Sequence, residues 1–237
     1  MKNNGVILFD KIITHSKDVI EIVSSSIENG SDLLLTYFNQ HCFNVYWEDK
    51  NYKKNLNDNF MVYLDGYGFY FVLKYIFHVT CEKFNASDIN SELFKYLIRN
   101  NKKVIIIGGR FTDKIVYVDD LAVRQYFNGY EDIKNIDQMI EKILSSKTKI
   151  IIVGMGVSLQ EKLAFELKKR ISGLQIICVG NFLEFYFGTV KRAPKFFHNS
   201  GFEWIFRLIT EPRRLWKRYL IGVPVFIFRV LILKFKH

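Results

Sequence analysis

Residues 149–170 read KIIIVGMGVSLQEKLAFELKKR, and their reading decides the fold. Ile150, Ile151, Ile152 and Val153 run without alternation, as a strand does when both of its faces are buried in a parallel sheet. Gly154, Met155 and Gly156 break the run. Ser158 and Glu161 then form an S-x-x-E capping box ahead of a stretch whose apolar residues recur at spacings of three and four. Strand, tight turn and capped helix make one βα unit, with the helix amides facing the strand end, where an anionic group could be held. A lone G-x-G is read equally well as a plain turn in which Glu161 satisfies only the backbone.

Working outward, the same signature recurs. Strands are expected at 32–36, 60–64, 103–107, 149–153 and 175–179, and helices at 16–27, 87–98, 135–144 and 159–171. The fold class is therefore α/β: a Rossmann-like parallel sheet with helices on both faces, plus a helical, basic C-terminal appendage. Open parallel sheets bind ligands at the carboxyl ends of their strands. Those ends carry Thr36 and Asn39, then Asp65 and Gly66, then Gly108 and Gly109, then Gly154 and Gly156. Asp65 follows an apolar run and precedes a glycine, a place suited to a general base; the competing reading is an aspartate that shapes its own turn.

Charge draws the other boundary. Eleven of the 34 Lys and Arg residues lie in 190–237, against Glu203 and Glu211 alone, so almost all of the net charge of +10 sits in that tail with all three prolines. A near-neutral α/β domain, 1–189, is expected ahead of a basic, aromatic appendage, 190–237. Within it, 201–220 reads as helix interrupted at Pro212, and 219–235 is almost wholly apolar but carries Pro224 and Arg229. At that length it is at the short limit for a membrane span, and a central arginine is costly there, which favours a segment lying in the interface. The expectation is an anionic membrane surface under the tail, with Arg213, Lys217, Arg229, Lys234 and Lys236 near lipid phosphates. Nucleic acid is not an expected partner, because exposed Phe-Ile-Phe has no use on a duplex.

Three cysteines without a C-x-x-C, scattered histidines and no D-x-D give no disulfide scaffold and no ligand set, so neither a metal nor a cofactor is expected. The first residues do not read as a secretory signal, which points to the cytoplasmic side.

The segment 180–220, GNFLEFYFGTVKRAPKFFHNSGFEWIFRLITEPRRLWKRYL, resembles the C-terminal signature of the WecG/TagA/CpsF family of bacterial glycosyltransferases. Arg192-Ala193-Pro194, Glu203-Trp204, Arg207, Glu211-Pro212, Arg214 and Arg218-Tyr219 fall in register with it. Upstream, Thr36 with Asn39, Asp65-Gly66 and the run from Gly154 to Gln160-Glu161 resemble further family motifs. Asn181, Glu184, Ser87 and Ser158 depart from the pattern.

The resemblance implies a peripheral enzyme at the cytoplasmic face of the cell membrane, serving cell-surface polysaccharide synthesis. It would move a hexose from a UDP-sugar to an undecaprenyl-diphosphate-linked sugar, inverting the anomeric centre without metal. Asp65 would be the base. Thr36, Asn39, Gly154, Gly156, Gln160, Glu161, Glu184, Arg192, Arg207, Arg214 and Arg218 would bind substrate, the arginines meeting the departing diphosphate. A homo-oligomer is compatible with the sequence. Two rivals stand beside this reading: a catalytically silent membrane-surface scaffold, and a dinucleotide-binding oxidoreductase, which the incomplete glycine fingerprint disfavours.

Overall fold

The structure, a computed structural model, describes residues 9, 11–112, 116, 117, 120–190 and 203–235. Seven parallel strands form one sheet: β1 (Ile12–Ile13), β2 (Leu33–Phe38), β3 (Met61–Leu64), β4 (Val104–Gly108), β5 (Val123–Phe127), β6 (Ile150–Gly154) and β7 (Gln175–Cys178). Their order is β1-β3-β2-β7-β6-β4-β5. The first three strands in the chain thus form one half of the sheet and the last four the other, with β2 and β7 meeting at the junction through Leu33 opposite Gln175 and Leu35 opposite Ile177. The carboxyl ends of β3, β2, β7 and β6 stand side by side there, the crevice in which open α/β sheets take their ligands.

The five expected strands are present as β2, β3, β4, β6 and β7. β1 and β5 were not expected: β1 has two residues, and β5 (VRQYF) is a half-exposed edge strand whose polar residues hide its pattern. The expected helices are α1 (Ser16–Asn29), α5 (Ala86–Arg99), α6 (Ile136–Ser146) and α7 (Leu159–Arg170). Four more among the described residues were missed. α2 (Gln40–Glu48) buries Cys42, Phe43, Asn44 and Tyr46 but is short and has a weak apolar period, while α3 (Lys50–Asn59) is too polar to announce itself, burying only Tyr52 and Leu56. α4 (Tyr67–Phe71) runs into a π-helical turn (Val72–Ile76), and α8 (Phe182–Tyr186) is a single short turn.

The sheet interior is largely apolar. Leu35, Ile105, Ile106, Ile151, Ile152, Ile176 and Ile177 are fully buried, which explains their unalternating runs. On one side, an aromatic cluster of Phe38, Phe43, Phe69 and Phe226 packs with ring centroids 5.2 to 6.5 Å apart.

The tail supplies α9 (Glu203–Thr210), α10 (Pro212–Trp216), a π-helical turn (Lys217–Ile221) and α11 (Gly222–Phe235). The break at Pro212 is where the sequence puts it. α11 lies on α2 and buries Phe226, Val230 and Leu233, leaving Ile227, Phe228, Leu231 and Phe235 exposed. Arg229 is not directed outward: its guanidinium bonds the Asn44 carbonyl (3.0 Å) and pairs with Glu48, which corrects its expected place among lipid phosphates. Lys236 lies outside the described residues. No described helix is long and apolar enough to cross a membrane.

Candidate functional site

Asp65 follows β3 directly, its N–H continuing the sheet to the Phe38 carbonyl (3.0 Å). Two donors fix its carboxyl group. Asn39 Nδ2 donates to Oδ2 (2.8 Å), and the N–H of Ala86, first residue of α5, donates to Oδ1 (2.8 Å). Asn39 is itself held, because it caps α2: its Oδ1 accepts the N–H groups of His41 (3.0 Å) and Cys42 (3.1 Å), which leaves the amide nitrogen facing Asp65. A strand-end asparagine thus serves as helix cap and as orienting donor at once.

A second network lies beneath. Glu161 is fully buried and accepts from Thr36 Oγ1 (2.7 Å) and Gln160 Nε2 (2.8 Å) at Oε1, and from the Ser158 N–H (2.8 Å) at Oε2. Gln160 returns its carbonyl to the Gly180 N–H (3.1 Å). Burial pushes the Glu161 carboxyl above its ordinary range against the pull of these donors. Thr36, Gln160 and Glu161 are all at 0% exposure, so they join β2, α7 and the loop after β7 to one another and do not line the open cleft. Gly154 also has a packing reason: a Cβ there would stand 2.4 Å from Leu183 Cδ1.

Above that floor opens a cleft of about 1470 Å³ between the carboxyl edge of the sheet and the tail. It brings together Asn39, Asp65, Gly156, Arg207, Arg214 and Arg218. The Nε atoms of Arg207 and Arg218 are buried without a hydrogen-bond partner among the described residues. Cationic donors left unmade in a concave site are prepared for an anionic ligand. Arg207 stacks over Phe185 (5.4 Å), and Arg214 pairs with Glu211 (2.6 Å) and donates to Asn181 Oδ1 (3.2 Å). Glu184, half-buried, faces Arg214 at 3.8 Å and accepts from Asn181 Nδ2 (2.6 Å); burial raises its carboxyl, with Arg214 opposing. The departures Asn181 and Glu184 therefore act on the orientation of a tail arginine. Arg192 lies outside the described residues.

His41, at the cleft wall, was missed by sequence reading, although it stands two residues from Asn39. Burial lowers its imidazole to about 4, and Arg218 adds to the effect. Among the described residues no group of three or more His, Cys, Asp or Glu is placed to hold a metal.

A family model described as "Glycosyl transferase WecG/TagA/CpsF family" matches residues 7–237. The chain belongs to this family. It is a glycosyltransferase. Similar curated proteins include those named N-acetylglucosaminyldiphosphoundecaprenol N-acetyl-beta-D-mannosaminyltransferase in Staphylococcus aureus strains NCTC 8325 / PS 47 and COL. Each is 23% identical over 222 residues, spanning 90% of this chain and 85% of the relative. The family match runs through the tail, so α9, α10 and α11 belong to the same unit of sequence as the sheet.

Proposed function

We propose that this glycosyltransferase moves an N-acetylhexosamine or related hexose from a UDP-sugar to a sugar carried on undecaprenyl diphosphate, with inversion and without a metal ion. The observation that carries the reading is the meeting, in one cleft, of an oriented carboxyl group, Asp65, with three tail arginines, two of them holding buried nitrogens without a partner among the described residues. The Staphylococcus aureus relatives are named for a lipid-diphosphate acceptor of this kind.

In the proposed reaction an acceptor hydroxyl gives its proton to the Asp65 carboxylate while its oxygen attacks the anomeric carbon. The bond from that carbon to the diphosphate oxygen breaks, and UDP leaves with the electron pair. Arg207, Arg214 and Arg218 neutralise the charge that develops, as planar forks suited to phosphate. The turn at Gly156 lies beside them, while Asn39 aims the base. Thr36, Gln160 and Glu161 act through the backbone they hold, and Glu184 through Arg214. The 190–237 segment works as a membrane-associating appendage, peripheral on the cytoplasmic face, so that docking brings a lipid-borne acceptor to the site.

The test incubates the full chain with UDP-N-acetylmannosamine and an N-acetylglucosaminyl diphosphate lipid. UDP should be released only with the acceptor present, the product should have the inverted anomeric configuration, and turnover should survive EDTA. Absence of acceptor-dependent release overturns the reaction; retained configuration, or chelator inhibition reversed by Mg²⁺, overturns the mechanism.

A further inference from the structure

The segment from Gly66 to Cys81, GYGFYFVLKYIFHVTC, contains six aromatic residues and no aspartate or glutamate. α4 and the π-helical turn after it bury Phe69, Val72 and Leu73 against the core. That anchors the outer face, where Tyr67, Phe71 and Tyr75 recur every fourth residue at 42%, 55% and 53% exposure. Phe71 and Tyr75 pack on each other at 4.9 Å, making one ridge. Lysines flank it: Lys74 bonds Tyr70 Oη (2.8 Å) and sits over the Tyr75 ring, and Lys83 sits 4.0 Å over the Tyr67 ring. Tyr67 and Phe71 of the ridge line the cleft that holds Asp65, and so do Ile227 and Leu231 from the exposed apolar stripe of α11.

We infer that this ridge is a second membrane-contacting surface, so that the protein docks astride its cleft and the mouth of the site opens onto the bilayer. Exposed rings in a row have no work in water. Tyrosines with hydroxyl tips and lysines beside them match the headgroup layer, where an aromatic body is buried and its polar end stays wet. The sixteen residues carry Lys74 and no carboxylate of their own, which favours an anionic surface over a cationic one. The choice of a bilayer as the occupant rests on the reading of the tail as a membrane contact, because the two surfaces share one cleft; the ridge itself is an independent observation.

The experiment is co-sedimentation of the full chain with phosphatidylcholine vesicles, with and without phosphatidylglycerol. Phe71→Ser with Tyr75→Ser should lower partitioning by roughly tenfold or more, since both side chains are exposed and insert together. Lys74→Glu, which loses only surface contacts to Tyr70 and Tyr75 and none in the core, should lower it several-fold on phosphatidylglycerol vesicles only, and so keeps the test decisive if the double variant folds poorly. Wild-type partitioning by both variants overturns the inference. So does a change in sedimentation-equilibrium mass with unchanged vesicle binding, which would assign the ridge to a second copy of this chain. A parallel variant on the tail, Phe228→Ser with Phe235→Ser, separates the two ideas: loss in the tail variant alone leaves the tail reading standing and removes the ridge. Loss in the ridge variant alone removes the tail reading and overturns docking on both surfaces at once.

Discussion

At the residue scale, Asp65 is held by two donors, each bonded to a different oxygen, and this shapes what its replacement will do. Asp65→Asn leaves Oδ1 able to accept from Ala86 but sets a second NH₂ group against Asn39 Nδ2, whose own oxygen is committed to the α2 cap. Turnover should fall by roughly two to four orders of magnitude with donor affinity retained, and the melting temperature should drop by the equivalent of about 1 kcal/mol. Turnover within a few-fold of wild type removes Asp65 from the chemistry. His41 reports on the other half of the site. Its imidazole is depressed to about 4 by burial and by Arg218, so the unfolded chain takes up the proton first on acidification. The stability this contributes is complete above the ordinary histidine pKa and is lost as pH falls towards 4; His41→Gln should flatten that part of the pH profile of the melting temperature. Adding UDP should raise the His41 pKa in part, because a diphosphate on Arg218 offsets the cation that adds to the larger effect of burial. An NMR titration of the imidazole that does not move with UDP places the diphosphate elsewhere.

Between the strands, glycines separate packing from binding. Gly108 pairs with Gly154 across β4 and β6, has φ +147°, and a Cβ on it would stand 2.2 Å from the Gly154 carbonyl oxygen. Gly156, beside the cleft, has nothing within 4 Å of a would-be Cβ and no left-handed backbone. Gly108→Ala should therefore cost about 3 kcal/mol or more and give little folded protein, whereas Gly156→Ala should melt within about 0.5 kcal/mol of wild type and raise KM for the UDP-sugar several-fold. An unchanged KM detaches the turn from the donor. The contrast also marks what the sequence could disclose. The run at 149–153 declared its strand because a doubly buried strand must be continuously apolar, and the ends of such strands pointed to Asn39 and Asp65. It could not divide roles within one motif. Gln160 and Glu161 read as substrate-binding residues at a capped helix start, yet both are sealed inside, because the nearby Thr36 hydroxyl and Ser158 N–H supply the bonds that make burial tolerable. α2 stayed hidden because its short apolar period is weak, and α3 because it is strongly polar and draws its stability from the Asp49 cap and from packing on α2 and α7.

For the whole molecule, the decisive feature is that α11 is apolar on two opposite sides for two different reasons. Phe226, Val230 and Leu233 face the core, Phe226 packing 5.3 Å from Phe43 and 6.0 Å from Phe69, while Ile227, Phe228, Leu231 and Phe235 face outward. A one-dimensional reading merges the two faces into a single hydrophobic run and takes Arg229 as an interruption, when it is the tie from that helix to Asn44 and Glu48. Cutting the chain after Leu220 is then a poor test of membrane binding, because it uncovers the aromatic core. Three buried apolar side chains at about 1.5 to 3 kcal/mol each are on the order of half a domain's stability or more, so the truncated chain should melt far below the intact one. The cleaner separation is Phe228→Ser with Phe235→Ser, which touches exposed side chains only, at 65% and 82% exposure. This variant should melt as wild type, transfer sugar to a water-soluble acceptor analogue at the wild-type rate, and lose most of its partitioning onto anionic vesicles and its rate with the lipid-borne acceptor. Salt should weaken the binding of the intact chain without abolishing it, because screening acts on the tail cations and not on the buried rings. Equal vesicle binding by variant and wild type would show that the outer face of α11 meets something other than lipid.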